Sequence, residues 1–170
     1  MTKIKIFIRR CRLAYWKRRD PLRHARALGV TIGESCRLYN VSFSTEPYLV
    51  TLGNHVSASS THFETHDGGV WVLREENPNL DMIRPIRVGN NVYLGYRSMV
   101  MPGVTIGDNV IVGAGAIVTK DIPSNSVAVG VPARVIKSVD EYAVRAIAEG
   151  QQTKHLSQVQ KRAWYTSRMS

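Results

Sequence analysis

From Val88 onward an aliphatic residue returns at every sixth position: Val88, Leu94, Val100, Ile106, Val112 and Val118. Gly follows most of them, at Gly89, Gly95, Gly107 and Gly113, and the fourth residue after each is small or β-branched, as at Val92, Ser98, Val104, Val110 and Ala116. A period of six does not fit 3.6 residues per turn, and β-branched, Gly- and Asn-rich hexads oppose a helix, so each predicts a short strand and a turn. Three hexads close one triangular coil of about 18 residues, which stacks Val88 under Ile106, Leu94 under Val112 and Val100 under Val118, with coils about 4.8 Å apart. The Gly and Asn positions, Gly89-Asn90-Asn91 and Gly107-Asp108-Asn109, are expected to give the corners their backbone freedom.

Weaker copies of the hexad begin at Ile32 and Leu52, and the register breaks twice. Residues 38–51 read as irregular, and residues 64–87 as a loop thrown out of the coil, holding His66, Asp67, Trp71 and Arg74. Three segments follow: a basic helical arm over 1–29, the repeat region over 30–137, and a C-terminal helix and tail over 138–170. The capping-box spacing of Ser138 to Glu141 starts that last helix. In the arm, Ile4, Phe7, Ile8, Cys11, Ala14 and Tyr15 fall on one helical face, although the opening Lys-Ile-Lys-Ile-Phe-Ile also alternates like a strand.

Charge sharpens the arm. Of a formal net +10, residues 1–26 carry +9, ten Lys and Arg against Asp20 alone, and the other 144 residues are nearly neutral. That distribution suits an anionic surface beside the arm, such as the inner face of a membrane, and argues against a groove that tracks nucleic acid. The alternative is an arm whose apolar face packs on the coil or a neighbouring subunit. Cys11 and Cys36 show neither metal-ligand spacing nor a disulfide framework, and no apolar run approaches a membrane span or a secretory signal, so a cytoplasmic location is expected.

Residues 85–137, with Val88-Gly-Asn-Asn-Val-Tyr-Leu-Gly95, Pro102-Gly-Val-Thr-Ile-Gly-Asp-Asn109, Gly113-Ala-Gly-Ala-Ile-Val-Thr-Lys-Asp-Ile-Pro123 and Gly130-Val-Pro-Ala-Arg-Val-Ile-Lys137, resemble the hexapeptide-repeat acetyltransferases. The likeness extends to galactoside, maltose and xenobiotic acetyltransferases and to the sugar and capsular-polysaccharide O-acetyltransferases. It implies an all-β fold, a left-handed parallel β-helix, with short terminal helices. It also implies a homotrimer with clefts between subunits, and acetyl-CoA as co-substrate without a required metal.

The same resemblance makes His66 the general base, in Thr65-His66-Asp67 about 20 residues before the Val88-Gly-Asn-Asn segment, where relatives often carry His-Pro instead of His-Asp. Histidine suits the task because its unperturbed pKa lies near neutrality, and such a base contributes roughly 10²- to 10⁴-fold. His62 is the alternative base or a substrate contact, and Glu46 a carboxylate partner for the imidazole. Tyr93, Gly95, Tyr96, Ala114, Gly115, Thr119, Lys120, Arg134 and Lys137 map to the CoA site, with the amide near Gly95 and Tyr96 as oxyanion donor and the cations at the phosphates. Asp67, Trp71 and Arg74 mark the acceptor side. A sugar, polysaccharide or lipid-linked glycan hydroxyl is the expected acceptor; a nucleotide-linked amino sugar or an antibiotic hydroxyl are alternatives. Two rivals from other classes are a γ-type carbonic anhydrase using His62 and His66 toward zinc, and an inactive structural β-helix.

Overall fold

The computed structural model describes residues 3–168. The described residues divide into two compact units, one up to Val139 and the other from Asp140. The first holds two helices and a three-sided parallel β-helix. One side is built of β1 (Thr31–Ile32), β4 (Val50–Leu52), β7 (Ile86–Val88) and β10 (Thr105–Ile106). The second is β2 (Arg37–Tyr39), β5 (Val56–Ser59), β8 (Val92–Leu94), β11 (Val110–Val112), β13 (Ser126–Val129) and β14 (Arg134–Ser138), and the third is β3 (Ser42–Phe43), β6 (His62–Phe63), β9 (Met99–Val100) and β12 (Ile117–Val118). Every pairing is parallel except β13 with β14.

The stacking read from the hexads is the observed register: Val88 pairs with Ile106, Leu94 with Val112 and Val100 with Val118. These aliphatics, with Leu52, Val56, Ala58, Phe63 and Ile86, are almost wholly buried. Each ladder of them supplies about 1.5–3 kcal/mol per side chain relative to exposure, the driving force that sheet hydrogen bonds alone would not give. On the second side large and small residues alternate through Leu38, Ala58 and Leu94, stacked in register.

The corners differ from the expectation. Left-handed backbone sits at Ser35, His55, Asn91, Asn109 and Asn125, with φ between 53° and 57°, and the Gly residues that open the hexads do not share it. Asn tolerates that conformation through its short polar side chain, and the side chains stack: His55 Nδ1 lies 2.8 Å from Asn91 Oδ1, and Asn91 Nδ2 donates to Asn109 Oδ1 at 2.8 Å. The hexad glycines are required by close approach instead. A Cβ on Gly95 would stand 2.5 Å from the Ala114 nitrogen of the next coil.

The two breaks are also smaller than they read. Thr31 pairs with Thr51, Thr51 with Arg87 and Arg87 with Thr105, so the successive coils take 20, 36 and 18 residues. Residues 38–51 thus form a regular coil with two extra residues, absorbed in a 3₁₀ turn at Pro47–Leu49. The insertion is narrower than 64–87, because Ile86 and Arg87 are strand and the Glu64 amide bonds the Val100 carbonyl at 2.9 Å. His66 and Ile83 close its base as an antiparallel bridge, and a 3₁₀ helix, Gly68–Leu73, starts the loop.

Helix α1 (Lys3–Arg19) settles the ambiguity of the arm in favour of helix, and α2 (Pro21–Leu28) follows, capped by Asp20. The expected apolar face does not turn inward: Phe7, Ile8 and Tyr15 are exposed, while Leu13 and Trp16 are half-buried. The Ile4 side chain lies outside the described residues. Guanidinium groups of Arg12 and Arg23 hold the Trp16 ring from 4.8 and 4.3 Å, cation–π contacts that tie α1 to α2. Ala25 of α2 is buried in the solenoid core, and Arg26 Nη2 donates to the carbonyls of Ile32 and Gly33 at 3.2 Å each. The second unit contains α3 (Val139–Glu149) beyond its first residue and α4 (Gln158–Thr166), whose capping box, Ser157 with Gln160, the sequence reading did not find.

Candidate active site

His66 stands where the chain leaves the third side of the coil for the insertion. Strand alternation from His62 sends His62, Glu64 and His66 outward and Phe63 and Thr65 inward, both of the latter fully buried. Thr65 is the anchor. Its amide donates to Ser44 Oγ at 2.9 Å, the two hydroxyls lie 2.5 Å apart, and Thr65 Oγ1 reaches Glu46 Oε2 at 2.8 Å. Glu46, on the turn of the preceding coil, is thereby fixed against His66, with Oε2 3.2 Å from Nδ1 and its side chain only 13% exposed.

The Glu46 carboxyl is held below its usual range, first by the Thr45 hydroxyl at 2.5 Å and then by Thr65 and His66, against the opposing effect of burial. It is therefore a carboxylate at neutral pH, which can only accept, and so favours the His66 tautomer that carries its proton on Nδ1 and donates it as a hydrogen bond to Glu46. Thr45 Oγ1, at 3.3 Å, faces the same nitrogen. Among the described residues no hydrogen bond or ion pair reaches Nε2, so in that tautomer its lone pair is open.

Glu64, which the sequence reading passed over, joins the two histidines. Its Oε2 lies 3.2 Å from His62 Nε2, and its Oε1 3.4 Å from His66 Nδ1. Oε1 is buried and makes no hydrogen bond; its 3.4 Å approach to His66 is an ion-pair distance without hydrogen-bond direction. His62 Nδ1 meets Ser42 Oγ at 2.8 Å, so both of its ring nitrogens are engaged. The period-two pattern His62-x-Glu64-x-His66 was the available signal.

The remaining candidates fall into separate groups. Asp67 accepts the Gly69 amide at 2.8 Å and caps the 3₁₀ helix. Arg74 turns inward to the Leu80 carbonyl at 3.1 Å and toward Asp81 at 3.6 Å, so it closes the loop instead of presenting a cation to an acceptor. Trp71 is 74% exposed. Tyr93 and Tyr96 are exposed on the second side and its corner, with Ala114 and Gly115 beside them one coil on.

The expected oxyanion donor needs correction at Gly95, whose amide is spent on the Val112 carbonyl at 2.9 Å. Among the described residues the Tyr96 and Ala114 amides donate to no other group. Gly115 is left-handed, φ 69°, and nothing lies within 4 Å of where its Cβ would stand. Lys120 and Arg134 line one recess of about 310 Å³ with Asp121, Ile122 and Ala133. Thr119 adjoins it at the corner, and Lys137 lies in β14 opposite Val127. Tyr93 and His66 stand on different faces of the coil, and one chain does not bring them together.

Residues 85–120 match the model of the bacterial transferase hexapeptide family (six repeats). Protein CapG of Staphylococcus aureus is 44% identical over 143 residues, covering 82% of this chain and 83% of that protein. Galactoside O-acetyltransferase of Escherichia coli (strain K12) is 45% identical over 97 residues, 56% of this chain, and the chain spans about half that protein's length, 47%. A solved galactoside acetyltransferase in complex with coenzyme A superposes with a TM-score of 0.60 at 31% identity, covering 81% of this chain and 82% of that one.

Proposed function

From membership of the bacterial hexapeptide-repeat transferases, to which this chain belongs by its extensive likeness to CapG and its family match, we propose an acetyl-CoA-dependent O-acetyltransferase. Its fold is the family's left-handed parallel β-helix. The acceptor in this reading is a hydroxyl of a sugar or surface glycan, and His66 is the base. One observation carries the assignment: His66 Nδ1 is bound to the half-buried, ionised Glu46, and Nε2 is left open. His62 has no such free nitrogen.

Acetyl-CoA supplies an acetyl group activated as a thioester. Lys120 and Arg134 share a recess suited to its phosphates, and the open space before Gly115 lets an extended arm approach the coil. His66 Nε2 takes the proton of the acceptor hydroxyl as its oxygen attacks, Glu46 holds the resulting imidazolium, and the proton returns to the departing sulfur. The Tyr96 and Ala114 amides are the free donors for the developing oxyanion. The separation of Tyr93 from His66 on one chain supports a homotrimer in which a cleft between copies unites them.

Calorimetric titration with acetyl-CoA tests the reading. Saturable binding near one site per chain is expected, weakened roughly 10- to 100-fold by Lys120→Ala or Arg134→Ala as a charge-assisted contact is lost. Transfer to a panel of glycan acceptors should collapse in His66→Ala and persist in His62→Ala; no binding, or an active His66→Ala, sinks the proposal.

The arm extends this reading to a location on the cytoplasmic face of a membrane. No helix among the described residues is long and apolar enough to cross one. Phe7, Ile8 and Tyr15 are exposed on α1, and its last turn is Lys17, Arg18 and Arg19, a combination suited to an anionic lipid surface.

A further inference from the structure

Along the stack, the proposed ligand contacts fall in axial order. Lys120 and Gly115 belong to the coil that starts at Thr105, Tyr93 to the one before it, and His66 to the one before that. A ligand whose phosphates lie at Lys120 and whose acyl end lies at Tyr93 therefore points toward the first two coils. A threefold axis parallel to the stack keeps these levels equal in neighbouring copies.

Beyond Tyr93 in that direction the second side carries one outward row, Tyr93, Ser57 and Arg37, in direct register. Arg37 therefore stands two coils, about 9.6 Å, from Tyr93. The three residues line one groove of about 260 Å³, together with His55, Asn91 and Asn109. Both Nε and Nη2 of Arg37 donate to Ser57 Oγ, at 3.3 and 3.1 Å, which fixes the guanidinium plane. Arg37 has no carboxylate partner among the described residues, and no acidic side chain lines the groove.

We propose that Arg37 is a specificity-determining residue that binds the carboxylate of an acidic sugar in the acceptor, Ser57 holding the guanidinium in place. The inference rests on the acetyltransferase reading and adds the acceptor's chemical class to it. A fixed guanidinium without a carboxylate partner, two coils beyond the acyl end at Tyr93, matches a glycan that carries a planar anion, which pairs with the N–H groups that Ser57 leaves free. The distance of about two coils leaves room for one or two sugar units between the reacting hydroxyl and that carboxylate.

The test uses full-length protein, oligomers of galacturonic acid and of sialic acid, and their methyl esters, which keep the size and remove the charge. Binding is read by saturation-transfer NMR in the presence of CoA, and transfer by release of CoA thiol. Wild type should favour each acid over its ester by roughly 10- to 100-fold in affinity or KM, and Arg37→Gln should erase that preference while leaving ester binding unchanged. Arg37→Lys should restore part of it. Acetyl-CoA affinity should not move in Arg37→Gln, which separates this inference from the transferase reading: loss of acetyl-CoA binding in wild type overturns the latter. Equal binding of acid and ester, binding of neither, or an equal loss of both in Arg37→Gln overturns the role of Arg37.

Discussion

Replacing Glu46 by Gln isolates the charge that the proposed mechanism needs while keeping the side chain's shape. In the native site one carboxylate accepts from Thr45 at 2.5 Å, Thr65 at 2.8 Å and His66 at 3.2 Å. Hydrogen bonds to a charged group are worth about 1.5–3 kcal/mol. If that is the net loss, the melting temperature at pH 7 falls by roughly 3–12 °C, at about 2–4 °C per kcal/mol for a chain of this size. The same range applied to the transition state lowers kcat about 10- to 100-fold, because an uncharged amide stabilises the imidazolium less. KM for acetyl-CoA should stay unchanged, since Lys120 and Arg134 are untouched.

The pH dependence supplies a second reading of the same variant. The folded pKa of Glu46 is depressed, so its stabilisation is present above the unfolded value near 4.5 and disappears as the pH falls through the folded value below that. Melting curves of wild type and Glu46→Gln should therefore differ fully at pH 7 and converge in acid. A folded Glu46→Gln that matches wild type in both kcat and melting temperature at pH 7 would refute the reasoning.

Leu94→Ala should cost about 2–5 kcal/mol in urea unfolding, since the side chain is fully buried between Ala58 and Val112 and neighbouring coils cannot collapse into the space. His24 of α2 has its pKa lowered by burial first and by Lys17 as well, against the Leu13 carbonyl, and its Nδ1 is buried without a partner. The folded state thus resists protonation, so stability is greatest above the unfolded value of 6.5 and is lost as the pH falls from there toward the folded value; protection factors of α1 and α2 against amide exchange, with the intrinsic pH dependence divided out, should fall between pH 7.5 and 5 in wild type and change less in His24→Leu. Exchanging Lys17, Arg18 and Arg19 for Gln should weaken co-sedimentation with phosphatidylglycerol vesicles by roughly a hundredfold, at about 1 kcal/mol per charge, and an unchanged partition would exclude the arm as the anchor.

Periodicity made the solenoid legible because the hexads are a covalent record of the coil: each aliphatic must point inward once per side, and Val88, Leu94 and Val100 do so in the register read from the chain. It failed where coil length varies. The 20-residue first coil keeps its strands yet loses the period through two residues in a turn, so residues 38–51 looked disordered in pattern. The role of His66 was accessible only through family resemblance, and the separation of 20 positions from Glu46 says nothing of their contact until coils stack. Glu64 and Arg37 were missed for the same reason, their roles arising from outward rows across coils.

The first coil has a further consequence through α2. A parallel solenoid ends in strands whose peptide groups lack partners, an open template on which a second copy could add end to end. Here α2 lies across β1 and β2, and Arg26 occupies the carbonyls of Ile32 and Gly33. At the far end of the second side, β14 runs antiparallel to β13 and so breaks the repeat that another molecule would have to continue. The basic arm and the reversed strand therefore oppose end-to-end polymerisation, and a chain begun at Val30 should form fibres visible by electron microscopy.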